Sequence, residues 1–184
     1  MNIPQEQNRT DAELQWLVQS FLARKSSSVS KTNVVFKDRI VSVYEVQALG
    51  PVAGESDGRW LVCGDLPFVE FGKVELNTPE EAVALYALIL REWIYCTSRG
   101  IPGDFPEVLF VGTWEPVQLS PEYGSWLGPR LTYLDWNVIP RIGQRILHPE
   151  IRMKLRERGL PLTLEELDMI STQVEKSKEN RKPE

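Results

Sequence analysis

Apolar residues at Leu14, Trp16, Leu17, Val18, Phe21 and Leu22 recur at helical spacing, behind a capping box at Thr10-Asp11-Ala12-Glu13. The pattern predicts a helix from Asp11 to about Lys25, with Thr10 as N-cap and Glu13 returning a bond to the Thr10 amide. A short flexible connector, Ser26 to Ser30, follows. From Asn33 the period changes. Val34-Val35-Phe36 and Ile40 to Val46 are rich in β-branched and aromatic residues and read as strand. Lys37-Asp38-Arg39 between them is either a tight turn or the exposed middle of one long strand. Gly50 to Gly58 carries a loop signature leading into a strand at Arg59–Cys63, which is expected to lie antiparallel to its predecessor. Trp60 and Val62 share one face of that strand, with Gly64; Arg59, Leu61 and Cys63 share the other.

Gly64-Asp65-Leu66-Pro67 interrupts the strand. Gly permits positive φ or close approach, and Pro67 biases Leu66 toward extended geometry. Phe68 to Phe71 reads as a further short strand, closed by Gly72. Thr78-Pro79-Glu80-Glu81 then marks a helix start, with Thr78 as N-cap, Pro79 at the first helical position and Glu81 completing a box. Ala82, Val83, Leu85, Tyr86, Leu88, Ile89, Leu90, Trp93 and Ile94 make that helix apolar nearly all round, so it must be enclosed.

Past Gly100 the pattern is weaker. Val108 to Val111 reads as a short strand, and Ser120-Pro121 as another helix start. Gly124, Gly128, Pro129, Pro140 and Gly143 predict short, broken helices up to Gln144. His148-Pro149-Glu150 opens a helix that Gly159 ends. Thr163-Leu164-Glu165-Glu166 caps the last helix, whose narrow apolar stripe is Leu164, Leu167, Ile170 and Val174. From Lys176 the chain is expected to fray. The expected architecture is α+β: one domain over 1–175, a small mostly antiparallel sheet packed on a buried helix, a helical C-terminal layer, and a charged disordered tail over 176–184.

Composition adds little to this; charge adds more. The formal charge of −5 is uneven. Residues 41–125 carry four Lys/Arg against thirteen Asp/Glu, whereas 126–184 carry eleven against nine. An acidic middle disfavours nucleic acid and favours a basic protein partner or a cation. The longest nearly apolar run, Ala82–Leu90, is well short of the roughly 20 residues that span a bilayer. Met1 to Gln7 has no secretory-signal pattern, so no membrane association and a cytoplasmic location are expected. Cys63 and Cys96 read as buried thiols in a reducing compartment.

The search for chemistry returns mainly exclusions. A chain with one histidine, His148, cannot build a multi-His zinc site, and the two cysteines lack metal-ligand spacing. Phosphate-cradling, dinucleotide, nucleophile-elbow and EF-hand patterns are absent, so no catalytic set, metal or cofactor is expected. Asp65 is the candidate functional carboxylate: at a strand end it could orient a ligand or cation, with Arg59 or Glu70 assisting, or cap its own turn. Trp114, Tyr123, Trp126, Tyr133 and Trp136 either line a groove or pack an irregular helical layer. Arg141, Arg145, Arg152, Lys154, Arg156 and Arg158 form a basic amphipathic segment.

Trp60-Leu61-Val62-Cys63-Gly64-Asp65-Leu66-Pro67, with the helix opening at Thr78-Pro79-Glu80-Glu81-Ala82, resembles an uncharacterised family of small bacterial proteins that share a Trp-x-x-x-Gly-Asp-Leu-Pro core. The likeness covers Val41–Glu92. It implies a bacterial cytoplasmic protein and no particular mechanism. The functional expectation is a non-enzymatic binding or regulatory protein acting through the acidic middle, immunity-type proteins being one such kind. The alternative is a small enzyme or ligand-binding protein with its site at Asp65. The Leu164 stripe could also pair with its own copy, giving a homodimer.

Overall fold

Four consecutive strands lie between an N-terminal helix and a run of later helices, and the fold follows from covering both faces of one sheet. The computed structural model describes residues 10–24, 29–49, 56–99, 109–110, 116–117 and 121–179. Helix α1 (Asp11–Arg24) leads into strands β1 (Val29–Lys37), β2 (Val41–Leu49), β3 (Ser56–Gly64) and β4 (Val69–Gly72), then helix α2 (Pro79–Arg99). The four strands form an antiparallel meander in the order β1-β2-β3-β4. The architecture is α+β, as the pattern predicts.

Period-2 alternation divides the core in two. Val41, Val43, Trp60 and Val62 face α2 and the C-terminal helices; Tyr44, Val46, Leu61 and Cys63 face Leu14, Val18, Phe21 and Leu22 of α1. Strands β2 and β3 therefore bury both their faces, while β1 leaves Val34 and Val35 exposed. Trp16 is the exception to the α1 stripe: it lies two residues from Leu14, on the opposite side of the helix, and is 61% exposed.

Lys37-Asp38-Arg39 resolves as a turn, closed by the Asp38 amide donating to Val41 O at 2.8 Å. Val29 and Ser30 already belong to β1, and the rest of the expected connector, 26–28, lies outside the described residues. Likewise β3 begins at Ser56, two residues before the loop was expected to end, because Ala48 and Leu49 pair with Asp57 and Ser56. The expected strand at 108–111 exists as β5 (Leu109–Phe110), but it pairs only with β6 (Pro116–Val117), outside the main sheet.

The three threonine N-caps form, and Ser120 lies outside the described residues. Glu13 accepts from the Thr10 amide at 2.7 Å. Glu81 and Glu166 differ in reach: each accepts from the residue before its cap, Asn77 and Leu162, at 2.7 Å.

The C-terminal layer departs most from the pattern. Instead of broken pieces, helical turns run without interruption through α3 (Pro121–Tyr133), a π-turn (Leu134–Val138), α4 (Ile139–Ile142) and a 3₁₀ turn (Gly143–Arg145). Leu127, Leu131, Leu134, Val138 and Ile142 form one buried stripe along this run. Burying that stripe outweighs the breakers: Pro129 inside the helix costs about 3 kcal/mol, less than five buried apolar side chains return. The π-turn falls just before Pro140, which has no N–H to continue the tighter ladder. Gly143 is required for contact rather than flexibility, since a Cβ there would lie 1.9 Å from Leu162 O.

Helix α5 (Pro149–Glu157) ends at Gly159, whose φ is +70°. Helix α6 (Leu164–Glu179) passes the expected boundary at Lys176, so residues 176–179 are helical; 180–184 lie outside the described residues. Cys63 and Cys96 are buried and not joined in a disulfide.

Candidate functional site

The turn after β3 is built by close approach. Gly64 has φ +132°, and a Cβ on it would lie 2.3 Å from Ile40 O. That contact lets the Asp65 amide donate to Ile40 O at 3.0 Å, which ties the end of β3 to the start of β2. Pro67 then turns the chain, and its carbonyl accepts from the buried Tyr86 hydroxyl of α2 at 2.8 Å. Burial pushes that phenol well above its ordinary pKa.

The Asp65 carboxylate is paired with Arg130 and accepts no bond from its own turn among the described residues. Its Oδ2 accepts from Nη2 of Arg130 at 2.8 Å and from Nε at 3.0 Å. The same Nε donates to the Asp65 carbonyl at 3.1 Å, and Nη1 donates to Trp126 O at 2.9 Å. Both side chains are buried, and the guanidinium also lies 3.9 Å from the centre of the Trp126 ring. Tyr123 stacks on Trp126, and Trp93 of α2 meets Tyr123 edge-on. Of the aromatic set, Tyr123 and Trp126 thus pack around an arginine, while Trp114 lies outside the described residues.

Arg59 and Glu70 come together, 3.8 Å apart, but not with Asp65. Arg59 and Asp65 are six steps apart along β3 and its turn, roughly 20 Å of extended chain. The three candidates therefore do not share a site.

Two buried acids escaped the sequence reading except as a cap. Glu81 is fully buried; its Oε1 accepts from the amides of Leu147 and His148 at 2.9 and 2.7 Å, while Oε2 holds Asn77. One carboxylate thus joins the start of α2 to the start of α5. Truncating it in Glu81→Ala orphans three amides, and a loss of about 3 kcal/mol is expected in urea unfolding with an unchanged slope.

Asp135, 0% exposed in the π-turn, forms an ion pair with Arg91 of α2. Beyond that pair, neither of its oxygens has a hydrogen-bond partner among the described residues. Burial, with the nearby Arg158 charge, lowers the Arg91 pKa from its ordinary value.

The charge asymmetry of the sequence has a structural counterpart. Arg130 meets Asp65, Arg145 meets Glu80 at 3.0 Å, Arg158 meets Glu92 at 2.6 Å, and Arg141 meets Asp38 at 2.5 Å. Tyr133 also donates to Asp38, and its pKa is raised by burial and by that carboxylate. The basic amphipathic segment is thus largely a docking face for the chain's own acids.

Among the described residues no group of His, Cys, Asp and Glu is arranged to hold a metal ion, and no helix is long and apolar enough to cross a membrane. No family model, curated protein or solved structure matches this chain.

Proposed function

We propose that this is a non-enzymatic binding protein for a basic protein partner, and that the partner is held by the acids of the stretch 100–129, which carries no lysine or arginine. The observation that carries this reading is how the thirteen acids of 41–125 are divided. Glu45, Asp65, Glu70, Glu80 and Glu92 pair with Lys73, Arg130, Arg59, Arg145 and Arg158, and Glu81 holds backbone amides. Glu75 is exposed. The other six are Glu55 and Asp57, and then Asp104, Glu107, Glu115 and Glu122. No lysine or arginine occurs between Arg99 and Arg130, so the second group lies in a stretch without compensating charge. Uncompensated charge of one sign steers an oppositely charged partner and raises its association rate. An immunity-type role is the form of this reading in which the partner is a toxic basic protein. A ligand or catalytic role for Asp65 would first require breaking its buried pair with Arg130.

The test compares wild type with Asp104→Asn/Glu107→Gln/Glu115→Gln/Glu122→Gln as baits in native lysate. Wild type is expected to retain a protein of net positive charge that is released when salt rises from about 0.05 to 0.5 M, where screening shortens to a few ångströms. The neutral variant, folded to the same stability, should retain little of it. Failure to recover a basic partner, or one indifferent to salt and to the four substitutions, would contradict the reading.

A further inference from the structure

The main sheet ends in two unequal edges. Strand β4 is four residues long, but β1 runs for nine, and no strand pairs with its outer side among the described residues. An edge strand presents backbone donors and acceptors on which another extended chain can pair. The flank of this edge is apolar. Val34 is 52% exposed and Val35 39%. Gln19 of α1 donates to Thr32 Oγ1 at 2.8 Å, and Val34 lies two residues on, on the same side of the strand. Trp16, one turn before Gln19 on the same flank of α1, is 61% exposed. A long edge beside three exposed apolar side chains invites pairing with its own copy, since two identical strands close an antiparallel contact about a two-fold axis.

Three features oppose that pairing. The ladder with β2 slips twice, between Val29 and Lys31 and between Val34 and Phe36. Each slip bends the strand and puts its outer donors and acceptors out of step. Lys31 and Lys37 are both exposed, one on either side of Val34 and Val35. An antiparallel copy centred on Val34 would bring each Lys31 level with the other strand's Lys37, like charge beside like. Lys37 is also held by Asp11 at the start of α1, and a pairing strand would have to bury or break that ion pair.

We propose that β1 is a guarded edge: Lys31, Lys37 and the two bulges keep it from taking up a second copy of this chain as a fifth strand. The short β4 needs no such guard, because four residues give too few ladder bonds to hold a strand. The guard is separate from the acidic stretch 100–129, so failure of either reading leaves the other standing.

Sedimentation velocity of the full chain over a range of concentrations at low salt provides the test, with far-UV circular dichroism as the check on folding. Lys31→Thr/Lys37→Thr, threonine being suited to a strand, is expected to self-associate at concentrations at least about tenfold below those that wild type needs. Lys31→Thr alone, which leaves the Lys37–Asp11 pair in place, should show the same change in smaller measure. Adding Val34→Lys to the double variant returns charge to the edge and should return sedimentation to that of wild type. Lys154→Gln/Lys176→Gln removes the same charge from exposed helical positions and should sediment as wild type. A natively folded Lys31→Thr/Lys37→Thr variant that sediments as wild type, equal association in the helical control, or association that survives Val34→Lys would overturn the proposal. So would a wild-type dimer that Val34→Lys by itself dissociates, because the edge would then be in use.

Discussion

Gly64→Ala is expected to destabilise the protein by on the order of 4 kcal/mol, among the largest losses any single methyl could cause here. The added Cβ meets Ile40 O at 2.3 Å, Ile40 C at 3.0 Å and Val41 Cα at 3.1 Å. All three are backbone atoms at the start of β2, so no side chain can swing aside. The position also holds φ +132°, where an L-residue is strained by about 1–3 kcal/mol before any contact is counted. Relief by moving the turn would break the bond from the Asp65 amide to Ile40 O and shift the Arg130 contact with it. Gly72→Ala is the control: no atom lies within 4 Å of its would-be Cβ, and a change below about 1 kcal/mol is expected. Urea midpoints of the two variants, at unchanged slope, decide between close approach and general flexibility.

Arg130→Met is the second large effect. The pair it breaks is buried on both sides, so the substitution leaves the Asp65 carboxylate in the interior without its counter-charge. Such a loss typically costs about 3–5 kcal/mol, most of it the penalty of the orphaned charge. Asp65→Asn should cost less. The amide oxygen still accepts one bond, and Arg130 keeps its bonds to the Asp65 and Trp126 carbonyls and its place over the Trp126 ring. The ordering of the two losses is itself diagnostic, because a carboxylate kept for a ligand would show the reverse: stability unmoved by either change.

The elements were legible where local chemistry sets them. Thr10, Thr78 and Thr163 with their glutamates mark three helix starts, and each forms. Alternation along β2 and β3 assigned Trp60 and Val62 to one face and Leu61 and Cys63 to the other, as the two cores confirm. What could not be read was pairing between layers. Asp65 and Arg130 stand 65 residues apart, and nothing near Asp65 signals that its partner is an arginine on a distant helix. The acidic middle and the basic segment were both visible as charge, yet their use on each other is a property of the fold. The stretch 121–145 misled for a related reason. Its glycines and prolines are local signals, and the buried stripe from Leu127 to Ile142 overrides them only once α2 is there to receive it.

The central claim is that the Gly64–Asp65 turn is a joint between sheet and helical layer, with its carboxylate committed to Arg130. A double-mutant cycle of Asp65→Asn and Arg130→Met in urea unfolding tests it most directly. A coupling of about 2–3 kcal/mol is predicted, the double variant being far less destabilised than the sum of its parents. Additive losses below about 0.5 kcal/mol each would contradict the claim and return Asp65 to the pool of candidate ligand-binding groups.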